Sequence, residues 1–268
     1  MNRLDPILAA ARSGSRKLLC PFITAGYPSL AATPDLLLAA QTGGASIIEL
    51  GIPFSDPVAD GPVIQASFTQ ALEQGTTVNA ALASVAAART RGLTIPVLAM
   101  VSFSIIFKRG TREFAALCAT NSLDGIILPD VPLEEAPAIV DAIRDAGLRS
   151  ALLVAPTTPE ARRHAIARLC DAFVYYLSVS GITGERTVLP TNLGENVASL
   201  RQVSNVPICV GFGISTAEHV RQVTAVADGA IVGSALIRHI TANATLPTAQ
   251  LAAAVQSFIA NLATGLAK

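Results

Sequence analysis

Lysine and histidine are scarce in this chain of 268 residues, and cysteine is scattered. The only lysines are Lys17, Lys108 and Lys268, and none stands at the C-terminal end of a strand-like run, so no Schiff base is foreseen. His164, His219 and His239 fall in helical patterns and share no ligand spacing, so no metal site is expected. Cys20, Cys118, Cys170 and Cys209 sit far apart in apolar segments, with no CxxC pair and no neighbouring histidine. They read as reduced core residues of a protein from a reducing compartment. A GxSxG nucleophile elbow is missing as well. With a formal net charge of +0 and no basic cluster, nucleic acid and anionic membrane surfaces are poor partners. No secretory signal and no apolar run of membrane-spanning length is found, so the expected place is the cytoplasm.

Hydrophobic residues, by contrast, make up 51% of the chain, enough for one large core. Apolar strand-like runs fall at 18–24, 46–51, 96–101, 125–128, 150–155, 172–178, 207–211 and 229–233. Helical patterns follow at 30–42, 78–91, 111–120, 133–146, 159–168, 193–203, 216–226 and from 234 onward. Asp5-Pro6 adds a capped helix start before the first strand. Eight strand-then-helix units predict an α/β chain folded as a (β/α)8 TIM barrel with an additional N-terminal helix, residues 1–268 forming a single domain. An open doubly wound sheet does not require so regular a count.

Chemistry in such a barrel gathers at the C-terminal ends of the strands. There the sequence places Glu49, and the loop that follows it carries Asp56 and Asp60 between Pro53, Pro57 and Pro62. Each proline fixes its own φ and restricts the residue before it, so this loop has few conformations. Glu49 alternates with Ile48 and Leu50 in an apolar strand, where a carboxyl group needs a partner or a task. The basic residues closest to strands, Lys17 and Arg149, lie at strand starts, the wrong end of a parallel barrel. Without them, desolvation raises the pKa of Glu49 toward the range of a proton-transfer group. Asp56 opens an Asp-Pro turn and reads as structural. Asp130 after the fourth strand and Tyr175 and Tyr176 in the sixth fall at the same end.

Strand seven runs into Gly211-Phe212-Gly213-Ile214-Ser215, with a capping box expected at Ser215 and Glu218, and strand eight into Gly233-Ser234. Glycine turns that open helices after these two strands are a recurrent phosphate cradle, because free backbone amides attract anions. The segment 180–187 is longer than an ordinary connection and reads as a lid. Carboxylates acting by proton transfer on a phosphorylated substrate are what remains.

Nearly the whole chain resembles the tryptophan synthase alpha subunit family. The match runs through Pro21-Phe22-Ile23-Thr24-Ala25-Gly26-Tyr27-Pro28, the stretch from Glu49 to Gln65, Leu128-Pro129-Asp130-Val131-Pro132, Tyr175, Gly181-Ile182-Thr183-Gly184 and Gly211-Phe212-Gly213. The resemblance implies retro-aldol cleavage of indole-3-glycerol phosphate to indole and glyceraldehyde 3-phosphate, with no cofactor and no metal. It makes Glu49 the acid/base on the glycerol hydroxyl and indole C3, and Asp60 the group at the indole nitrogen. Phe22, Met100, Ile127, Tyr175, Thr183 and Phe212 would surround the substrate, and Gly184, Gly213, Gly233 and Ser234 would hold its phosphate. The implied partner is a tryptophan synthase beta subunit in an α2β2 heterotetramer. One stretch departs: where the family shows Tyr-x-Asn-Pro after strand three, this chain has Ser102-Phe103-Ser104-Ile105. Other readings are a free-standing indole-3-glycerol-phosphate lyase, a non-catalytic regulatory partner of a beta subunit, and a phosphosugar isomerase on the same barrel.

Overall fold

The computed structural model describes residues 2–57, 60–177, 192–211 and 213–266. In chain order the elements are α1 (Leu4–Arg12), β1 (Leu18–Thr24), α2 (Thr33–Thr42), β2 (Ile48–Gly51), α3 (Pro62–Glu73), α4 (Val78–Thr90), β3 (Val97–Met100), α5 (Phe103–Arg109), α6 (Thr111–Thr120) and β4 (Gly125–Leu128). They continue with α7 (Ala136–Asp145), β5 (Arg149–Val154), α8 (Glu160–Leu169), β6 (Val174–Leu177), α9 (Leu193–Arg201), β7 (Ile208–Gly211), α10 (Ala217–Val226), β8 (Gly229–Val232), α11 (Ser234–Ala242) and α12 (Thr248–Ala263). The eight strands pair in sequence order, all parallel, and β8 returns to β1 to close a barrel. Strands buried on both faces read as near-continuous apolar runs, and all seven residues of β1 are buried.

The starts of the strands share one device. Ser46 accepts from the Leu19 amide of β1. Asp124 accepts from Val97 at the start of β3 at 2.9 Å, Asp171 from Ser150 in β5, and Asp228 from Ile208 at the start of β7 at 2.9 Å. In each pair the acceptor residue returns its own amide to the carbonyl of the residue it serves. A side chain just before each even-numbered strand thus satisfies an amide of the strand before it, an accounting every buried backbone group must meet. The aspartates are in turn neutralised: Asp124 by Arg89 at 2.7 Å and Arg3 at 3.0 Å, Asp171 by Arg144, and Asp228 by Arg201.

Some sequence expectations need correction. Asp5 does not cap α1; the Leu4 amide donates to the Asn2 side chain, and Asp5 sits in the first turn paired with Arg149. The cap of α10 is Thr216, which accepts from the His219 amide, whereas Glu218 binds Arg221 and Gln222. The capping box at Ser215 and Glu218 is therefore absent, and the helix starts one residue later. Helices α3 and α5 were not foreseen, and the pattern from 234 onward divides into α11 and α12 around Pro247. Among the described residues no helix is long and apolar enough to cross a membrane.

Asp124 is 2% exposed and its partner Arg89 is 9% exposed, so removing the carboxylate leaves a cation buried without its counter-charge. Asp124→Ala is expected to destabilise the fold by about 3–5 kcal/mol. Asp124→Asn keeps an acceptor for Val97 and should fall between it and the parent. Thermal midpoints of the three proteins test the order; an Asn variant as stable as the parent would show that the charge contributes nothing.

Candidate active site

Glu49 lies in the middle of β2, in register with Phe22 on β1 and Leu98 on β3. Partners in register on parallel strands project to the same side, so these side chains enter the barrel interior together. Two residues on, Gly51 leaves room for a ring: a Cβ there would stand 2.2 Å from Cζ of Phe22. Phe22 in turn packs against Phe68 of α3, their centroids 6.3 Å apart. The unforeseen α3 thereby walls one side of the site. Its buried stripe of Ile64, Phe68 and Ala71 at helical spacing is the signal that could have found it.

The carboxyl of Glu49 is fully buried, and neither oxygen has a hydrogen-bond partner among the described residues. The two cations considered from sequence are occupied elsewhere: Lys17 donates to the Ala227 carbonyl and Arg149 pairs with Asp5. Burial alone pushes the Glu49 pKa well above the usual carboxylate range, so the group is held as a neutral acid. Tyr175 of β6 is also buried, and its phenol is pushed up first by burial, then by its acidic neighbours Glu49 and Asp60 in their ionised forms. Its ring fills the space over Gly211, where a Cβ would come within 2.8 Å of the hydroxyl. Tyr176, its neighbour, points away; its hydroxyl accepts from Asn196 on α9.

Asp60 stands on the loop between β2 and α3. Gln65 in the first turns of α3 donates to the Asp60 carbonyl at 2.8 Å and to that of Pro57 at 3.3 Å, which pins the loop to the helix. The side chain opens on a cleft lined also by Ile52, Phe68, Met100, Pro129 and Asp130. Burial, and then the negative charge of Asp130, raise its pKa from 3.8 to about 6. Met100 and Ile127 are partners in register on β3 and β4 and continue the apolar wall. At the other side, Phe22 lies 3.9 Å from where a Gly233 Cβ would be, next to the first turn of α11 with Ser234 at its start. Gly213 has φ +77°, a conformation that other residues adopt at a cost.

The structure therefore brings Phe22, Glu49, Met100, Ile127, Tyr175 and Gly233 together at the C-terminal ends of the strands, with Asp60 over them. Thr183, Gly184 and Phe212, also expected at the site, and the whole lid segment 180–187 lie outside the described residues. Sequence reasoning placed Asp130 at this end of the barrel without a role and did not give Phe68 or Gln65 a part in the site, although Phe68 lines it and Gln65 holds its loop. Two carboxyl groups of raised pKa, one sealed in the barrel and one at its mouth, can exchange protons with two ends of one apolar substrate.

The Asp60 shift has a consequence for stability. A folded-state pKa of about 6 against 3.8 means that ionisation opposes folding. No penalty exists below pH 3.8; it grows as pH rises and is complete above pH 6. Asp60→Asn is expected to raise the thermal midpoint at pH 8, by on the order of 2 kcal/mol of stability, and to leave it nearly unchanged at pH 4. The same gain at both pH values would contradict the assignment.

Comparison with known proteins gives one answer. The family model for the tryptophan synthase alpha chain matches residues 8–265. The tryptophan synthase alpha chain of Picosynechococcus sp. is 44% identical over 269 residues, covering 100% of both chains. That of Rhodopirellula baltica is 42% identical over 90% of this chain and 87% of its own. Among solved structures, tryptophan synthase subunit alpha from Legionella pneumophila superposes with a TM-score of 0.83 at 36% identity over 98% of each chain. A chain of M. tuberculosis tryptophan synthase in its aminoacrylate-bound form does so with 0.85 at 29% identity over 99% of each. With the two carboxyl groups, the apolar wall between them and the closed eight-stranded barrel, these matches establish that the chain belongs to the tryptophan synthase alpha chain family.

Proposed function

We propose that this chain, acting as one barrel domain, cleaves indole-3-glycerol phosphate by a retro-aldol reaction to indole and glyceraldehyde 3-phosphate. The observation that carries the reading is the buried Glu49 carboxyl inside the barrel, which has no hydrogen-bond partner among the described residues and whose pKa burial raises. Indole has to be protonated at C3 before the bond to the glycerol chain can break, and a neutral carboxylic acid in an apolar chamber is suited to give that proton. The resulting glutamate carboxylate then takes the proton of the glycerol hydroxyl. As that O–H electron pair becomes the carbonyl of the aldehyde, the C–C bond breaks and its electrons return to the indole ring. One proton is given and one taken, so Glu49 ends as it began. Asp60, ionised above about pH 6, accepts the indole N–H and offsets the positive charge that C3 protonation places on the ring.

Phe22, Met100, Ile127 and Tyr175 form the apolar surroundings of the indole, with Phe212 and Thr183 added from the family resemblance. The phosphate rests on Gly213, Gly233 and Ser234 and, by the same resemblance, Gly184. Ser234 begins α11, whose free amides and dipole favour an anion. The chain works with a tryptophan synthase beta chain, in an α2β2 complex, as a biosynthetic enzyme of the cytoplasm. Membership of the family supports the partner; the stoichiometry and the place are part of the proposal.

Indole release by the purified chain, alone and with the beta chain of the same organism, tests this function. Glu49→Gln, which keeps shape and removes the proton, is expected to lower kcat on the order of 10²-fold or more while leaving KM close to the parent value. Turnover near the parent level in a folded variant would remove Glu49 from the mechanism. For the phosphate cradle, Ser234→Asp is the cleaner test than a change at Gly213, where positive φ would add backbone strain. A carboxylate at the first position of α11 suits the helix dipole yet repels a phosphate. Raised KM for the phosphorylated substrate with an undiminished thermal midpoint is expected; unchanged kinetics would place the phosphate elsewhere.

A further inference from the structure

The loops after β3 and β4 are tied together by one carboxylate. Asp130 accepts a hydrogen bond from the Ser102 hydroxyl at 2.7 Å and another from the Phe103 amide at 2.8 Å. Ser102 is also the N-cap of α5, accepting from the Ser104 amide. Asp130 is thus held in one orientation by the start of a helix. It lines the same cleft as Asp60 and the proline-stiffened loop. This arrangement belongs to the stretch in which the chain departs from its family's Tyr-x-Asn-Pro pattern, so the serine–aspartate bond is a feature of this sequence.

Among the described residues no cation lines that cleft. Its lining holds Asp56 on the same loop as Asp60, Asp130 from the loop after β4 and the uncharged Ser102 from the loop after β3. The first turn of α3 contributes no charge, and from the barrel the titratable neighbours are Glu49 and Tyr175, both neutral. Among the described residues, the Asp130 carboxyl is then the acidic group that the loops of the neighbouring strands bring to the Asp60 cleft.

We propose that Asp130 is a positioning residue for Asp60: clamped by Ser102 and Phe103, its carboxylate shares the cleft with Asp60 and makes Asp60 a stronger proton acceptor. The proposal rests on the retro-aldol reading for its kinetic meaning, but not for its physical content. A like charge disfavours ionisation, so Asp60 binds a proton more firmly when Asp130 is charged, and a more basic carboxylate is the better acceptor for a developing indole cation. The raised Asp60 pKa, with burial as its larger cause and Asp130 as the second, agrees with this.

The test is a carbon-13 NMR titration of the Asp60 carboxyl, assigned by its loss in Asp60→Asn, in the parent, Asp130→Asn and Asp130→Glu. Asp130→Asn is expected to lower the Asp60 midpoint by roughly 0.5–1 pH unit, and Asp130→Glu to restore most of it. The pH profile of kcat/KM for indole release should move with it. Its acid limb shifts down, giving about 3–10-fold more activity at pH 5 than the unshifted profile would give, and kcat at pH 8 falls about 2-fold. A midpoint unmoved in Asp130→Asn overturns the proposal whatever the kinetics show. Should Asp130→Asn fail to fold, Ser102→Ala, which frees one side of the clamp and keeps the charge, must broaden or lower the Asp60 titration; an unaltered curve there is equally fatal. Failure of the function reading is a separate result: a shifted midpoint in a chain that releases no indole keeps the coupling and discards the retro-aldol assignment.

Discussion

A carboxyl group with no counter-charge can be kept inside a closed barrel only in its neutral form, and the chemistry of this chain depends on that constraint. Around Glu49 every neighbouring strand contributes apolar or uncharged side chains: Phe22, Leu98 and Tyr175 surround it without offering a cation. The barrel gains nothing in stability from such a residue. An apolar side chain of similar volume would satisfy the packing at lower cost, because a polar group without a hydrogen-bond partner is costly to bury. The position therefore makes sense as a store for one proton in a place water does not reach. Phe68 from α3 and the space left by Gly51 complete the seal.

The two ends of the barrel treat acids in opposite ways. At the strand starts, Asp124, Asp171 and Asp228 each accept backbone amides and each have an arginine. These carboxylates are directional and structural, and they occur before β4, β6 and β8, where a strand amide would otherwise be orphaned. At the strand ends, Glu49 and Asp60 have raised pKa values and, among the described residues, no arginine partner, and Asp130 accepts from the neutral Ser102 hydroxyl and Phe103 amide. A pairing rule that holds at one face and lapses at the other separates the part of the molecule that carries stability from the part that carries reaction.

Much of this was legible in the sequence. Strand-like runs at even intervals gave the eightfold barrel because strands buried on both faces leave continuous apolar stretches, and each observed strand lies within or beside its expected run. The isolation of Glu49 was legible from the placement of Lys17 and Arg149 at strand starts. Other features were hidden for physical reasons. Helix α3 begins at Pro62, directly after a proline-rich loop, and so its start looked like more loop. Helix α5 has seven residues, too short for a periodic stripe to declare itself. Ser215 and Glu218 fit the spacing of a capping box, but Thr216 was the residue with extended backbone at the boundary, and conformation decides a cap. Ser46 read as the first residue of a strand because nothing local reveals that its hydroxyl serves the strand before it.

What the sequence could least disclose is coupling between loops that are far apart in the chain. Asp130 and Ser102 are 28 residues apart, and Asp60 lies on a third loop, yet the parallel closure of β2, β3 and β4 brings their ends side by side. A barrel built from short strand–helix units converts separations in sequence into neighbours around a rim, and so it can tune one group by altering a residue on another unit. Departure from a family pattern at Ser102 to Ile105 is readable as a string, but its effect on Asp60 exists only in the closed ring. The proline-stiffened loop and the Gln65 bonds fix Asp60 from one side while the Ser102 clamp fixes Asp130 from the other. Because both carboxylates are held, their mutual repulsion cannot relax by movement, and it is expressed as basicity instead.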